Sequence, residues 1–233
     1  MSNGDKTETK AVKSKSVENN KVKKGDFIEI KFTGYSNGKV FDSNIEEDLK
    51  EIAPEAKASE TVISVGHGMV VPGLDKALEG KEIGKSYEID VPYQEGFGPR
   101  KKDLVKIIPL KAFTEKNVNP RPGVMLALDN YLVKILAVSG ARVTVDFNSP
   151  LAGKDLEYKF TIVKRVTDVE KKARTLFEVL FRFVPEFEVK DKIIIMGPKS
   201  FENIAKIYSK KFKEIVGKEL GFELKEEGKE NKE

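Results

Sequence analysis

One stretch constrains the rest of this chain: residues 62–78, VISVGHGMVVPGLDKAL. Val62, Ile63 and Val65 are β-favouring and apolar, so the stretch opens as a buried strand. Gly66 and Gly68 break that strand and admit backbone angles closed to other residues. Met69, Val70 and Val71 then form an apolar run where a loop is normally polar. Pro72 suits a first helical turn, and Leu74, Ala77 and Leu78 give the short helix that follows one apolar face. Gly80 can stop it. The pattern describes either a plain strand–loop–helix packing unit or a concave apolar floor edged by backbone N–H groups, which is how small-molecule and peptide pockets are built.

The surrounding chain has 233 residues, room for one large or two to three small domains. Hydrophobic content of 39% beside 34% charge describes a globular, well-solvated protein. Cysteine is absent, so disulfides and thiolate metal sites are excluded, in keeping with a reducing compartment. No run approaches the ~18 apolar residues of a membrane span, and the N-terminus lacks the apolar core of a signal peptide. A cytoplasmic location with no membrane partner is expected. The net charge of +4 is small and dispersed, a poor footprint for nucleic acid.

Taken in order, residues 1–22 are polar, rich in Lys, Ser, Asn and Glu, and read as a disordered tail. Residues 26–33, DFIEIKFT, alternate apolar and polar as a half-buried strand does, with Gly34 ending it. Asn37-Gly38 is a hairpin turn signal, and residues 40–42 return as a strand. A short acidic helix is expected over 45–52, and another alternating strand over 85–91. Beyond the loop Gly96-Phe97-Gly98-Pro99, residues 104–109, 124–128, 131–138 and 142–147 read as strands of a small β-rich module, with a helical turn near 109–115. Residues 151–166 supply a further strand. From Asp168, a helix N-cap candidate, the period becomes helical, a strand is expected over 189–196, and Ser200 can cap a long helix carrying Ile204, Ile207, Tyr208, Phe212 and Ile215. Residues 222–225 read as a last short strand.

Five segments together resemble the FKBP-type peptidyl-prolyl cis-trans isomerases: IKFTG (30–34), GKVFDSN (38–44), VGHGMVVPGLDKALEGKEIGKSYEIDV (65–91), EGFGPR (95–100) and LAGKDLEYKFTIV (151–163). They cover roughly half the chain in family order. The long span between the last two resembles the insert-in-flap domain of SlyD-like members, and the C-terminal segment resembles long-type archaeal relatives. The resemblance implies an α+β fold: an antiparallel sheet wrapped on a short helix, interrupted by the β-rich insert and followed by a small α/β domain. The expected division is an isomerase domain at 23–98 plus 149–167, an insert with chaperone function at 99–148, a C-terminal domain at 168–227 with a possible dimerisation role, and a tail at 228–233.

Carried over by position, the resemblance implies a pocket of Phe32, Phe41, Asp42, Ile63, Met69, Val70, Val71, Leu74, Phe97 and Phe160. Phe32, Phe41 and Phe160 would be aromatic walls, Leu74 the floor, Asp42 the polar contact at the twisted imide, and the N–H of Val71 the donor to a substrate carbonyl. Well-known members have Trp where Leu74 stands and Tyr where Phe32 and Phe97 stand. The implied partners are unfolded polypeptides containing Xaa-Pro bonds; the aromatics of the C-terminal segment describe either a self-association surface for a second copy of the chain or that segment's own core. The residues themselves offer no other chemistry. His67 is the only histidine and has no visible partner for base or metal work. No phosphate loop or dinucleotide fingerprint is present, the chain ends in KEEGKENKE rather than a His-rich tail, and no cofactor is expected. Prolyl isomerisation needs none of these groups. The competing reading is a holdase chaperone or dimeric scaffold without catalysis.

Overall fold

A computed structural model describes residues 20–128 and 131–225. The expected tail over 1–19 and the end of the chain from 226 lie outside them. Residues 20–22 are part of the folded protein: Val22 is buried, and its N–H and carbonyl bond to Lys81 and Gly80.

The first elements are β1 (Phe27–Ser36), β2 (Lys39–Ser43), α1 (Glu46–Ile52), β3 (Thr61–Ser64), α2 (Pro72–Leu78) and β4 (Ser86–Val91). Next come β5 (Val105–Pro109), α3 (Leu110–Thr114), β6 (Met125–Leu128), β7 (Tyr131–Ser139) and β8 (Arg142–Asp146). The last are β9 (Leu156–Arg165), α4 (Val169–Phe181), β10 (Glu186–Val189), β11 (Ile193–Gly197), α5 (Ser200–Val216) and β12 (Leu220–Leu224). The α+β class expected from the sequence is the class observed.

The chain divides into two compact units. Of the described residues, one holds those up to Gly34, Val40–Ile89 and those from Tyr158 on; the other holds Tyr35–Lys39 and those within Asp90–Glu157. Strands β2, β1, β9 and β4 lie in that order in one sheet, and β3 adds to β1 antiparallel, with Ile28 opposite Ile63. β1 does not stop at Gly34 as expected. It runs on to Ser36, because the missing side chain at Gly34 leaves room for aromatic rings without interrupting the strand.

The C-terminal elements form a sheet ordered β10-β11-β12, with β11 and β12 parallel and α5 as their crossover. The single strand expected over 189–196 is a hairpin, since the consecutive polar residues Lys190, Asp191 and Lys192 turn the chain and Ile193 starts a new strand paired with Val189. Asp168 caps α4, its carboxylate accepting from the Lys171 N–H at 2.9 Å. Ser200 is not a cap: it is the first residue of α5, Lys199 precedes it, and no side chain closes that end. Helices α4 and α5 do not bury their apolar faces only on each other. Ala173, Phe177 and Phe212 share one cluster with Phe27 of β1, and Val62 and Met69 pack against it.

In the second unit β5, β8, β7 and β6 make an antiparallel sheet in that order, with a bulge between Ile135 and Ala137. Strand alternation turns Val133, Ile135, Val143 and Val145 to one face, where Phe113 of α3 closes a small core.

Candidate functional site

Three aromatic rings meet on β1, β2 and β9. The ring of Tyr158 lies 6.4 Å from that of Phe32 and 5.8 Å from that of Phe41, edge-on to the latter. Tyr158 itself is buried. Phe160, expected at this place, points to a different partner: its ring packs on Tyr87 of β4 at 5.5 Å, and Tyr87 is anchored by the Glu82 N–H. Strand parity explains the difference. Leu156, Tyr158, Phe160 and Ile162 share one buried face of β9, and rings two residues apart sit over different neighbours.

Asp42 follows Phe41 on β2. Burial lifts its pKa above the ordinary 3.8, against a smaller opposing effect from the Ser43 backbone N–H. Burial and then the charge of Asp42 push the Tyr158 phenol far up, so it stays neutral. Asp42 and Tyr158 therefore share one electrostatic environment. The end of β2 is pinned to β1 by side chains: Ser43 and Asn44 bond to the Phe32 carbonyl and N–H, and Asn44 reaches the Ile30 carbonyl at 2.8 Å.

The expected floor and rim come from β3, its following loop and α2. Ile63 and Leu74 are buried, and Val70 and Val71 are half-buried. Gly66 and Gly68 both have positive φ, 80° and 67°, as the turn requires. Their N–H groups are not open to a ligand. Asp75, a buried carboxylate on α2, accepts from both, at 2.8 Å and 2.9 Å. His67 is tied locally, its Nδ1 2.8 Å from Ser64 Oγ. Val71 immediately precedes α2, and among the described residues its N–H has no acceptor. Met69 sits elsewhere than expected: its sulfur accepts from the Ser64 N–H and its side chain packs on the cluster shared with α4 and α5. Phe97 belongs to the second unit, half-exposed in a turn closed by the Gly98 N–H to Tyr93.

The second unit has a cavity of its own, about 220 Å³, lined by Ile108, Ala112, Phe113, Leu128, Tyr131 and Phe147, with Lys116 at its edge. Tyr131 is 63% exposed beside Phe147, an unusual exposure for a large ring.

Sequence reasoning missed Tyr158 and Asp75. The first was within reach, because Tyr158 and Phe160 have the same parity on β9. The second is a tertiary contact between a helix and the loop before it. Among the described residues, no cluster of three or more His, Asp and Glu could hold a metal ion, and no helix is long and apolar enough to cross a membrane.

Residues 18–114 match the FKBP-type peptidyl-prolyl cis-trans isomerase family, and residues 106–151 match the family described as FKBP26, IF domain. The chain is 35% identical over 154 residues to a short-type peptidyl-prolyl cis-trans isomerase of Methanocaldococcus jannaschii, covering 65% of this chain and 96% of that one. It is 31% identical over 136 residues to the FKBP-type isomerase SlyD of Treponema pallidum, covering 54% and 77%. Against SlyD of Haemophilus influenzae the identity is 36% over 101 residues, covering 42% of this chain and about half, 53%, of the relative. A sheet closed by β9, a ring cluster beside one carboxylate, and a β-rich insert are thus found in a chain that belongs to the FKBP-type peptidyl-prolyl cis-trans isomerase family.

Proposed function

We propose that this isomerase twists Xaa-Pro bonds in a cleft walled by Phe32, Phe41 and Tyr158, floored by Leu74 with Ile63, rimmed by Val70 and Val71, and edged by Asp42. Met69 and Phe160 belong to its surroundings, Phe160 through Tyr87. The observation that carries the reading is the meeting of three rings around Tyr158 beside Asp42.

Rotation about the imide faces a barrier of ~18–20 kcal/mol, because the C–N bond has partial double-bond character. Twisting removes the resonance and with it the charge separation of the planar form. An apolar, ring-lined cleft favours the less polar twisted species, while the free Val71 N–H holds a carbonyl of the chain. This is differential binding of the twisted state, with no covalent intermediate. The insert is read as the chaperone arm. Its Tyr131–Phe147 cavity would hold unfolded chain and raise the local concentration of Xaa-Pro bonds.

The units of this function are taken as residues 23–98 with 149–167 for isomerisation, 99–148 for chain binding and 168–227 for self-association. Ile207 and Phe183 on the C-terminal elements are 72% and 46% exposed, apolar surface that a second copy could cover. A cytoplasmic setting goes with a chain that carries no thiol.

The experiment is exchange NMR on a short Xaa-Phe-Pro peptide with the wild type and Phe41→Ala. Acceleration by the wild type and its loss in the variant are expected. No acceleration by the wild type, together with suppressed aggregation of an unfolded protein, would replace this reading with a non-catalytic holdase.

A further inference from the structure

Tyr158 brings a hydroxyl group to a cluster that is otherwise hydrocarbon. Its ring touches Phe32 and Phe41, neither of which carries a polar atom on its side chain. The residue is only 4% exposed. A phenol so placed is normally hydrogen-bonded. Among the described residues, however, no group bonds to this hydroxyl, and it is not one of the polar atoms sealed from solvent. The neighbouring polar groups are engaged elsewhere: Ser43 with Thr33 and the Phe32 carbonyl, Asn44 with β1. Beside the Asp42 carboxylate, the hydroxyl is therefore the hydrogen-bond donor of the ring cluster that remains free for a bound molecule.

The chemistry of the reaction says what it can bind. A planar imide has a carbonyl acceptor but no acceptor at nitrogen, whose lone pair is delocalised. Twisting reverses this: the carbonyl oxygen loses charge and the nitrogen regains its lone pair. A donor aimed at the carbonyl would hold the planar state and slow the reaction. A donor aimed at the nitrogen stabilises only the twisted state, which is the kind of contact that raises kcat. Tyr158 suits that task, because its burial and the nearby Asp42 charge keep it protonated, so it always has a proton to donate.

We propose that Tyr158 Oη donates a hydrogen bond to the prolyl nitrogen as the imide twists, making Tyr158 a catalytic residue of this isomerase. The proposal rests on the reaction taking place in the Phe32–Phe41–Tyr158 cleft. Its test is the full chain carrying Tyr158→Phe, which keeps the ring and removes only the hydroxyl. Steady-state exchange kinetics on the same peptide should show kcat reduced about five-fold, the size of one hydrogen bond, with KM unchanged. Peptides with 4-fluoroproline, whose substituent withdraws density from the nitrogen, should shrink the wild-type-to-variant ratio. Thermal unfolding of the variant, expected at the wild-type midpoint, separates loss of the hydroxyl from loss of fold. An unchanged kcat, or a raised KM at constant kcat, overturns the proposal while leaving the cleft in place. A wild type that does not accelerate exchange overturns both.

Discussion

Gly34 lies against the ring of Phe41: a β-carbon at position 34 would sit 2.6 Å from Cζ of that ring and 3.0 Å from Cε1 of Tyr158. Real Cβ contacts are essentially never as short as the first, and the second is tight, so the glycine is the space into which the Phe41 ring fits with Tyr158 close beside it. Gly34→Ala should push Phe41 off its rotamer and open the ring cluster. The expected cost is about 1–3 kcal/mol, the range of overpacked cores. Denaturant unfolding checks the stability, and exchange NMR should show a loss of activity larger than the fraction unfolded explains.

Asp75 holds the loop that leads to Val71 by accepting from two N–H groups with one carboxylate. An amide has one acceptor and one donor end, so Asp75→Asn turns one of these bonds into a donor facing a donor. A loss of about 1–3 kcal/mol is expected. Because the loop carries the rim rather than the rings, KM should rise more than kcat falls. Steady-state exchange kinetics on the variant decide it.

The acid limb of catalysis should report Asp42. Its folded pKa is raised, so it takes up a proton at a pH above 3.8, while the unfolded chain waits until about 3.8. The folded state thus binds the proton more tightly, and ionising Asp42 costs stability as pH rises through that window. The rate should fall on the acid side with a midpoint above 3.8, and Asp42→Asn should lack that limb. A pH–rate profile of wild type and variant measures both.

Asp146 carries the opposite sign. Burial pushes its pKa up, but bonds from the Asn148 side chain and backbone and from Arg100, 2.6 Å away, outweigh it and hold it below 3.8. The stability this adds to the second unit is present above the unfolded value and is lost as pH falls through the lower folded one. Asp146→Asn should remove that part of the acid sensitivity. Chemical denaturation followed at Tyr131 between neutral pH and about pH 3 tests it.

The sequence revealed elements better than contacts. The alternating runs of β1 and β4 and the capped start of α4 were legible because their signals are local: period-two alternation, and a carboxylate three residues before the N–H it accepts. Lys190-Asp191-Lys192 carries no Gly or Pro to mark a turn, so the sequence alone runs one strand through it. The ring cluster was half legible. Phe32 and Phe41 followed from position, but choosing between Tyr158 and Phe160 needs the neighbouring strands, because parity alone treats them alike. Asp75 and the burial of Phe27 against α4 depend on which helix packs where, and no spacing encodes that.

The placement of β9 also governs when this protein can complete itself during synthesis. β9 lies between β1 and β4 in its sheet, yet more than sixty residues separate it from β4 along the chain. As the polypeptide leaves the ribosome, β1 and β4 wait with unsatisfied edges while β5 to β8, whose partners all lie between Val105 and Asp146, can already pair. Contacts between nearby residues form soonest, and closing the longer loop costs more entropy. The sheet of β5 to β8 would then be finished before the ring of Tyr158 arrives, so that, on the function proposed for the insert, each molecule passes through a stage at which it can hold an unfolded chain, its own included, but cannot yet turn a proline.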